Sequence, residues 1–146
     1  MPEHDIHSSR LKNLSVLLAN RILIFRKTDH MEKEKIYQMP FLKVYQLLVN
    51  KATRKGRTQT EVDEIINWLT GYDTDQLLQY QKEPLSYGDF FRNAPKLNSE
   101  RLNIKGSICG VKVEMIEDPL MRDIRILDKL VDELAKGKAM EKILRK

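Results

Sequence analysis

Apolar residues recur at helical spacing through most of the chain. The clearest stripe occupies positions i, i+3, i+4 and i+7 of one stretch, at Val62, Ile65, Ile66 and Leu69. Thr58 and Glu61 precede it at the spacing of a capping box, in which each side chain bonds the other residue's backbone N–H. Gly71 follows, where a left-handed residue often closes a helix. The pattern predicts a helix between Thr58 and Gly71, with Trp68 mostly buried against Tyr72 or the last long helix.

Further helices are predicted on both sides of this one. The earlier helix opens at Pro40, a residue suited to the first helical position, and closes at Gly56. Its buried face is expected to consist of Phe41, Val44, Tyr45, Leu48 and Ala52. Asp73 and Gln76 repeat the capping-box spacing, so a short helix is expected to run from there to about Gln81.

The longest predicted helix begins at Asp118–Pro119, an N-cap followed by proline. Its apolar residues alternate in steps of four and three at Leu120, Ile124, Leu127, Val131 and Leu134. Ile126 and Leu130 widen this seam into a face that suits burial within one domain. We expect Leu127 and Val131 near the centre of the core, although the same spacing would also serve a helix pair between two copies.

The stretch between these helices is less regular. Ser86 and Asp89 predict one helical turn that presents two core phenylalanines. Residues 102–116 are strand-like, with Gly106-Ser107 as the expected hairpin turn. Val111, Val113 and Met115 alternate there with charged residues, as in a half-buried strand. The predicted fold is therefore mainly α, a compact single domain with at most one short β-hairpin.

The first 30 residues differ from the rest, since they contain all three histidines of the chain. Met31 is followed by alternating glutamate and lysine, a charged opening typical of a protein start. Two interpretations stay open for residues 1–30: an appended leader, with Met31 the original initiator, or an N-terminal helix docked on the core. Residues 31–146 are expected to form the helical domain.

Composition adds limits on the environment and the partner. The chain has 146 residues, 41% of them hydrophobic and 32% charged, with a formal net charge of +5. This modest excess favours anionic partners without requiring them. The longest apolar run, residues 14–25, is interrupted by Asn20 and Arg21 and is too short to span a bilayer, so no membrane partner is expected. A single cysteine, Cys109, fits a reducing cytoplasm.

Four segments together resemble the bacterial domain of unknown function 2200 family. They are Lys55–Thr58, Trp68–Asp73, Ile108–Val111 and Leu127–Gly137. The likeness covers about Lys35 to Lys146 and leaves residues 1–30 outside it. The resemblance implies a compact, mainly helical domain, and it implies no catalytic or binding residues because the family has no assigned activity.

The sequence offers little catalytic chemistry. Residues 31–146 contain no histidine, so we expect neither a metal site nor a cofactor nor a histidine acid or base there. Cys109 lies between Ile108 and Gly110 and is expected to be a buried structural cysteine. An enzyme using carboxylates is a third hypothesis, which rests on Glu61, Glu64 and Asp73 sharing a cleft.

The favoured hypothesis is a non-enzymatic cytoplasmic binding or interaction module, whose partner is a protein or a second copy. Its alternative is a nucleic-acid-binding protein that uses cations at residues 51–57 together with the C-terminal lysines, if the fold brings them together. The candidate binding surface consists of Lys51, Arg54, Lys55, Arg57, Trp68 and Tyr72. The predicted helix from Thr74 to Gln81 offers three glutamines but no cation for a helix-turn-helix contact.

Overall fold

The computed structural model describes residues 30–146. The chain divides into two compact units, Met1–Lys35 and Ile36–Lys146. In the first unit residues 30–35 are helical, and in the second unit residues 36–38 are helical. The predicted leader or N-terminal helix at residues 1–30 lies outside the described residues, apart from its last one.

The second unit is built mainly from helices. They are α1 (Phe41–Thr53), α2 (Gln59–Thr70), α3 (Thr74–Lys82), α4 (Tyr87–Arg92), α5 (Pro119–Ala135) and α6 (Met140–Ile143). Between α4 and α5 lie two 3-10 helices, Ser99–Asn103 and Val113–Met115, and the antiparallel strands β1 (Ser107–Ile108) and β2 (Val111–Lys112). The prediction of a mainly α fold with one short hairpin is confirmed for the described residues.

Helix α5 is the central element of this unit. It packs against α1, α2, α4, α6, strand β1 and the second 3-10 helix. Leu127 and Val131 are both 0% exposed, as are Ile126, Leu130 and Leu134. The seam predicted from its spacing is therefore buried within one copy of the chain, and the internal role is confirmed.

The local capping signals predict the helix boundaries well. Thr58 and Glu61 form the reciprocal capping box of α2, and Asp73 and Gln76 form that of α3. Pro40 is a correction, because it is the N-cap of α1 and Phe41 is the first helical residue. The Phe41 amide, which has no partner within α1, donates instead to the Leu85 carbonyl at 2.8 Å.

Gly71 closes α2 in the predicted left-handed conformation, with φ of 80°. A Cβ on this residue would lie 3.0 Å from the Lys96 nitrogen, so the position needs glycine for space as well as for its dihedral angle. The backbone N–H of Lys96 donates to Thr70 O at 2.9 Å, and that of Asn98 donates to Leu69 O at 2.9 Å. The segment after α4 thereby satisfies carbonyls at the end of α2.

The hairpin differs from its prediction in the position of the turn. Ile108 pairs with Val111, so the two turn residues are Cys109 and Gly110, with φ of 52° and 79°. Positive φ at both residues is typical of a type I′ turn, whose twist matches that of the paired strands. The prediction of Gly106-Ser107 as the turn is wrong, since Gly106 precedes β1 and its carbonyl accepts a bond from the Val113 N–H.

Burial in the hairpin region also departs from the expected alternation. Cys109 is exposed at the turn, so the prediction of a buried cysteine is wrong. Val111 is 46% exposed and Met115 72% exposed, whereas Val113 is fully buried. Because β2 is only two residues long and a 3-10 helix follows it, the chain does not keep the period-two geometry that alternating burial requires.

Candidate functional site

Two cationic segments that are far apart in sequence meet at the C-terminal end of α5. The Arg57 guanidinium donates through Nη1 to the backbone oxygens of Leu134 at 3.3 Å and of Lys138 at 2.9 Å. These bonds tie the turn after α1 to the last turn of α5 and to the residues that follow it. We define the basic surface as Lys51, Arg54, Lys55, Arg57, Lys136, Lys138 and Arg145.

Arg57 holds the basic surface together through the hydrogen bonds of its guanidinium. Besides the two carbonyls, its guanidinium binds the Glu61 carboxylate, with Nη2 at 2.6 Å from Oε2. The hydrogen bond from Arg57 lowers the pKa of Glu61, against the raising effect of burial. Leu134 O lies in the last turn of α5 and also accepts from the Gly137 N–H at 3.0 Å, so Arg57 adds a second, side-chain donor to this carbonyl.

Besides Glu61, two carboxylates lie within the basic surface, and each of these two binds two of its cations. Asp132 pairs with Lys51 at 3.0 Å and with Lys136 at 2.9 Å. Burial would raise the pKa of Asp132, but the hydrogen bonds from both lysines outweigh burial and lower it. This pairing neutralises part of the surface and holds the end of α1 against α5.

Glu133 is the more buried of the two carboxylates. Lys138 Nζ lies 3.0 Å from its Oε2, and Arg145 Nη1 lies 2.6 Å from its Oε1. Burial would raise the pKa of Glu133, and the bonds from Arg145 and Lys138 reverse that effect and lower it. The ion pairs thus attach the C-terminal residues to α5.

Arg54 and Lys55 differ from the other cations of the surface. Both side chains are exposed, and neither has a hydrogen bond or ion pair with any residue in the described range 30–146. Their charge is therefore available to an external partner without breaking an internal bond.

Trp68 and Tyr72 lie apart from these cations, near the other end of α2. Twelve helical residues rise about 18 Å, which separates the two ends of this helix. Tyr72 is 1% exposed, stacks on Phe90 at 4.6 Å and donates its hydroxyl hydrogen to the Phe90 carbonyl. Trp68 has an intermediate exposed fraction and packs against the core, so the prediction that it is mostly buried is confirmed. The fold therefore groups Lys51, Arg54, Lys55 and Arg57 but not the two aromatic residues.

A second feature is a pocket of about 420 Å³ between α1, the start of α2 and the end of α3. It is lined by Leu42, Tyr45, Gln46, Val49, Asn50, Gln59 and Gln81. We call it the carboxamide pocket because four of its seven lining side chains are asparagine or glutamine. None of the seven carries a formal charge at neutral pH.

Tyr45 is fixed at the wall of this pocket. Its hydroxyl donates to Asp63 Oδ1 at 2.6 Å and accepts from Gln59 Nε2 at 2.8 Å. Burial raises the pKa of Tyr45, and the bond to Asp63 raises it further. Burial also raises the pKa of Asp63, while the bond from Tyr45 acts in the opposite direction. Tyr45 therefore keeps its proton, which makes it a poor acid or base.

The family model described as "Uncharacterized protein conserved in bacteria (DUF2200)" matches residues 35–145. The chain belongs to the DUF2200 family. The match spans all of α1 to α6, and so it includes both the basic surface and the carboxamide pocket. The resemblance seen in the four sequence segments is confirmed.

One solved structure similar to this DUF2200 chain is described as "Crystal structure of uncharacterized protein SP1917". The two are 48% identical, with a TM-score of 0.74, over 77% of this chain and 92% of that chain. None of the curated proteins compared with the chain matches it. The family match and the similar structure show the family and the fold of this chain, and neither assigns an activity to it.

Two of the three carboxylates proposed for an enzyme, Glu61 and Asp73, have structural partners in this DUF2200 domain. Glu61 binds Arg57 and caps α2, and Asp73 caps α3. Glu64 is exposed. In the described part of the chain, no three side chains of His, Cys, Asp or Glu type are grouped to hold a metal ion. No helix among residues 30–146 is long and apolar enough to cross a membrane.

The carboxamide pocket is the feature that the sequence did not predict. The signal lies in α1, where Gln46 and Asn50 are one turn apart and share a face with Leu42 and Val49. This mixed stripe lies beside the buried stripe of the DUF2200 helix. Gln59 and Gln81 join it only through the packing of α2 and α3, which periodicity within one helix does not reveal.

Proposed function

We propose that this protein is a non-enzymatic binding module and that the basic surface contacts its partner. The observation that carries the proposal is the meeting of residues 51–57 with residues 132–145 through the bonds of Arg57. Arg54 and Lys55 supply charge there that no described residue neutralises. The same proposal assigns the protein to the cytoplasm, which the single cysteine supports.

A binding role is favoured over catalysis by the state of the ionisable groups. Glu61, Asp132 and Glu133 are held in ion pairs that lower their pKa values. Carboxylates kept ionised by structural partners do not suit general acid catalysis near neutral pH. The raised pKa of Tyr45 keeps that hydroxyl protonated as well.

Nucleic acid is the specific partner that the charge balance of this surface favours. Five of its seven cations form ion pairs with three carboxylates, Glu61, Asp132 and Glu133, so the pairing leaves an excess of positive charge among these residues. Lysine and arginine contacts to phosphates release condensed counterions, which supplies most of the non-specific affinity for nucleic acid. An acidic protein is the competing partner, and the experiment below separates the two.

The test is fluorescence anisotropy with labelled single-stranded RNA, single-stranded DNA and duplex DNA at several salt concentrations. We expect binding that weakens as salt rises, and a weaker salt dependence in the variant Arg54→Glu/Lys55→Glu. Losing two phosphate contacts should reduce the slope of log affinity against log salt by about 1.4–1.8.

The matched control is Lys96→Glu/Lys112→Glu, which changes the net charge equally. Lys96 lies beside Gly71, at the end of α2 away from Arg57, and Lys112 lies in the hairpin. If the two double variants bind alike, the basic surface is not the contact site. The partner is a protein if no nucleic acid binds and an acidic protein co-purifies that high salt releases. That protein should then be lost with Arg54→Glu/Lys55→Glu and retained by the control variant.

A further inference from the structure

The carboxamide pocket has the size and the chemistry of a small-ligand site. Its volume of about 420 Å³ falls within the common range of roughly 300–1,000 Å³ for ligand pockets. We infer that it binds an uncharged planar heterocycle with neighbouring hydrogen-bond donor and acceptor groups, the chemistry of a nucleobase. The inference is independent of the proposed function, since none of the cations of the basic surface lines the pocket.

Carboxamides select this class of ligand because each carries both a donor and an acceptor. A glutamine or asparagine side chain pairs in bidentate fashion with the edge of a base that presents N–H beside a ring nitrogen or carbonyl. Gln46, Asn50, Gln59 and Gln81 provide four such groups around one space. A charged ligand would find no counter-charge among the lining side chains.

The remaining wall suits the flat face of a ring. Leu42 and Val49 lie two turns apart on the same face of α1, and both are partly buried. The Tyr45 ring is held in place by two hydrogen bonds at its hydroxyl. Ligand pockets usually have mainly apolar and aromatic walls with a few polar groups. This pocket has three apolar or aromatic lining residues and four carboxamides, so hydrogen bonds carry more of its selectivity.

The bonds of Tyr45 also orient Gln59. A hydroxyl has one hydrogen, and Tyr45 gives it to Asp63 at 2.6 Å. It therefore accepts from Gln59, which turns the amide nitrogen of Gln59 toward Tyr45 and leaves its carbonyl oxygen as an acceptor for a ligand. The carbonyl oxygen of Gln59 is thus oriented to accept a hydrogen bond from an N–H group of a ligand.

The experiment is a titration of ¹⁵N-labelled protein with adenosine, cytidine and uridine, followed by two-dimensional NMR. These nucleosides carry no phosphate, so phosphate binding at the basic surface does not contribute. We expect at least one of them to shift the amide signals of pocket residues in α1 and at Gln59. The variant Gln46→Leu/Gln81→Leu should bind that nucleoside at least about tenfold more weakly, the scale expected for loss of bidentate contacts.

The matched control is Gln79→Leu, which replaces a glutamine of α3 that does not line the pocket and bonds only Glu83. It should bind as the parent does. Gln46 is exposed, so Gln46→Ala provides a second, folded variant if the double variant loses its dispersed spectrum.

Three results would overturn the inference. One is the absence of pocket shifts with all three nucleosides up to their solubility limits. Another is equal nucleoside affinity of the parent and Gln46→Ala. The third is tighter binding of toluene than of any nucleoside, because the pocket would then select apolar volume and not hydrogen-bonding edges. Failure of nucleic acid to bind the basic surface would leave a positive nucleoside result unchanged.

Discussion

Two loops lie against α5, and different interactions hold them. The turn between α1 and α2 is attached through the Arg57 guanidinium, which bonds the backbone at the end of α5. The segment 104–116 is attached mainly through Ile104, Ile108 and Val113, which are 0%, 6% and 0% exposed. One polar bond, from Lys129 Nζ to the carbonyl of Ser107 at 3.3 Å, accompanies those apolar contacts.

The difference follows from which part of the helix each loop meets. The last turn of a helix has carbonyls without helical partners, so a loop that packs there gains by supplying donors. The side of a helix has no free backbone groups, so a loop that packs there gains by burying apolar side chains. The first kind of attachment fixes charged groups in place, and the second leaves the tip of the hairpin exposed.

The largest effect is expected from Leu127→Asp, because this residue belongs to the core that supports both loops. Leu127 is 0% exposed, and burying an unpaired charge costs more than the roughly 2–5 kcal/mol of a leucine-to-alanine change. We expect loss of cooperative unfolding in urea.

The control is Leu47→Asp, on the exposed side of α1, where the side chain is 55% exposed. It should change the free energy of unfolding by less than about 1 kcal/mol. A stable, folded monomeric Leu127→Asp protein from a dimeric parent would show that the seam is an interface between copies.

The next largest effect on stability is expected from a change at Arg57, in the turn between α1 and α2. Arg57→Ala removes the bonds to Glu61, Leu134 O and Lys138 O, and charge-assisted bonds of this type contribute about 1.5–3 kcal/mol. We expect a loss of about 2 kcal/mol in urea unfolding. Arg54→Ala, which removes a neighbouring exposed cation, should stay within about 0.5 kcal/mol of the parent. Equal losses of stability in Arg57→Ala and Arg54→Ala would mean that the bonds of Arg57 add nothing to the free energy of unfolding.

The helices were predictable because their signals are local. A capping box such as Thr58 with Glu61 lies within four residues, and an apolar stripe such as Val62 to Leu69 lies within three turns. The burial of Leu127 followed from the breadth of the apolar face of α5. In each case the neighbours that determine the conformation are close in the sequence.

The candidate sites were less predictable because they depend on distant neighbours. Arg57 is 77 and 81 residues from the two carbonyls that it binds, so the sequence placed it in the candidate binding surface and did not predict these bonds. In the hairpin, the sequence predicted a turn at Gly106-Ser107, whereas the structure has it at Cys109-Gly110. The choice between them depends on how Ile108 and Val113 pack on α5, which the alternation of residues does not encode.

A smaller effect tests the ion pairs next to the turn. The pKa of Glu133 is lowered in the folded protein, so the unfolded chain binds the proton more tightly. Its contribution to stability is present above the usual value of 4.5 and is lost as the pH falls through the lower folded value. Glu133→Gln should therefore destabilise the protein at pH 7 by about 1.5 kcal/mol, the low end of the range for bonds to charged groups. The variant should also lose less stability than the parent as the pH falls below 4.5.

Urea unfolding between pH 3 and pH 7 measures this difference. The control is Glu141→Gln, which removes an exposed carboxylate of α6 that forms no ion pair within residues 30–146. Its pH profile should follow that of the parent. A Glu133→Gln profile parallel to the parent's would show that the pair with Arg145 and Lys138 does not couple folding to protonation.

The smallest effect is expected at the tip of the hairpin, where Cys109 has φ of 52°. A side chain with a Cβ is strained in this left-handed region, and asparagine tolerates it better than most residues. Asn-Gly is also the preferred pair for a type I′ turn, and Gly110 already occupies the second position. Because the Cys109 side chain is exposed and packs into no core, Cys109→Asn should stabilise the protein by about 0.5 kcal/mol in urea unfolding. Cys109→Val should destabilise it by a similar amount, since a β-branched residue is least compatible with positive φ. If both variants match the parent, the turn contributes nothing to global stability, and the contacts of the segment with α5 hold the hairpin in place without it.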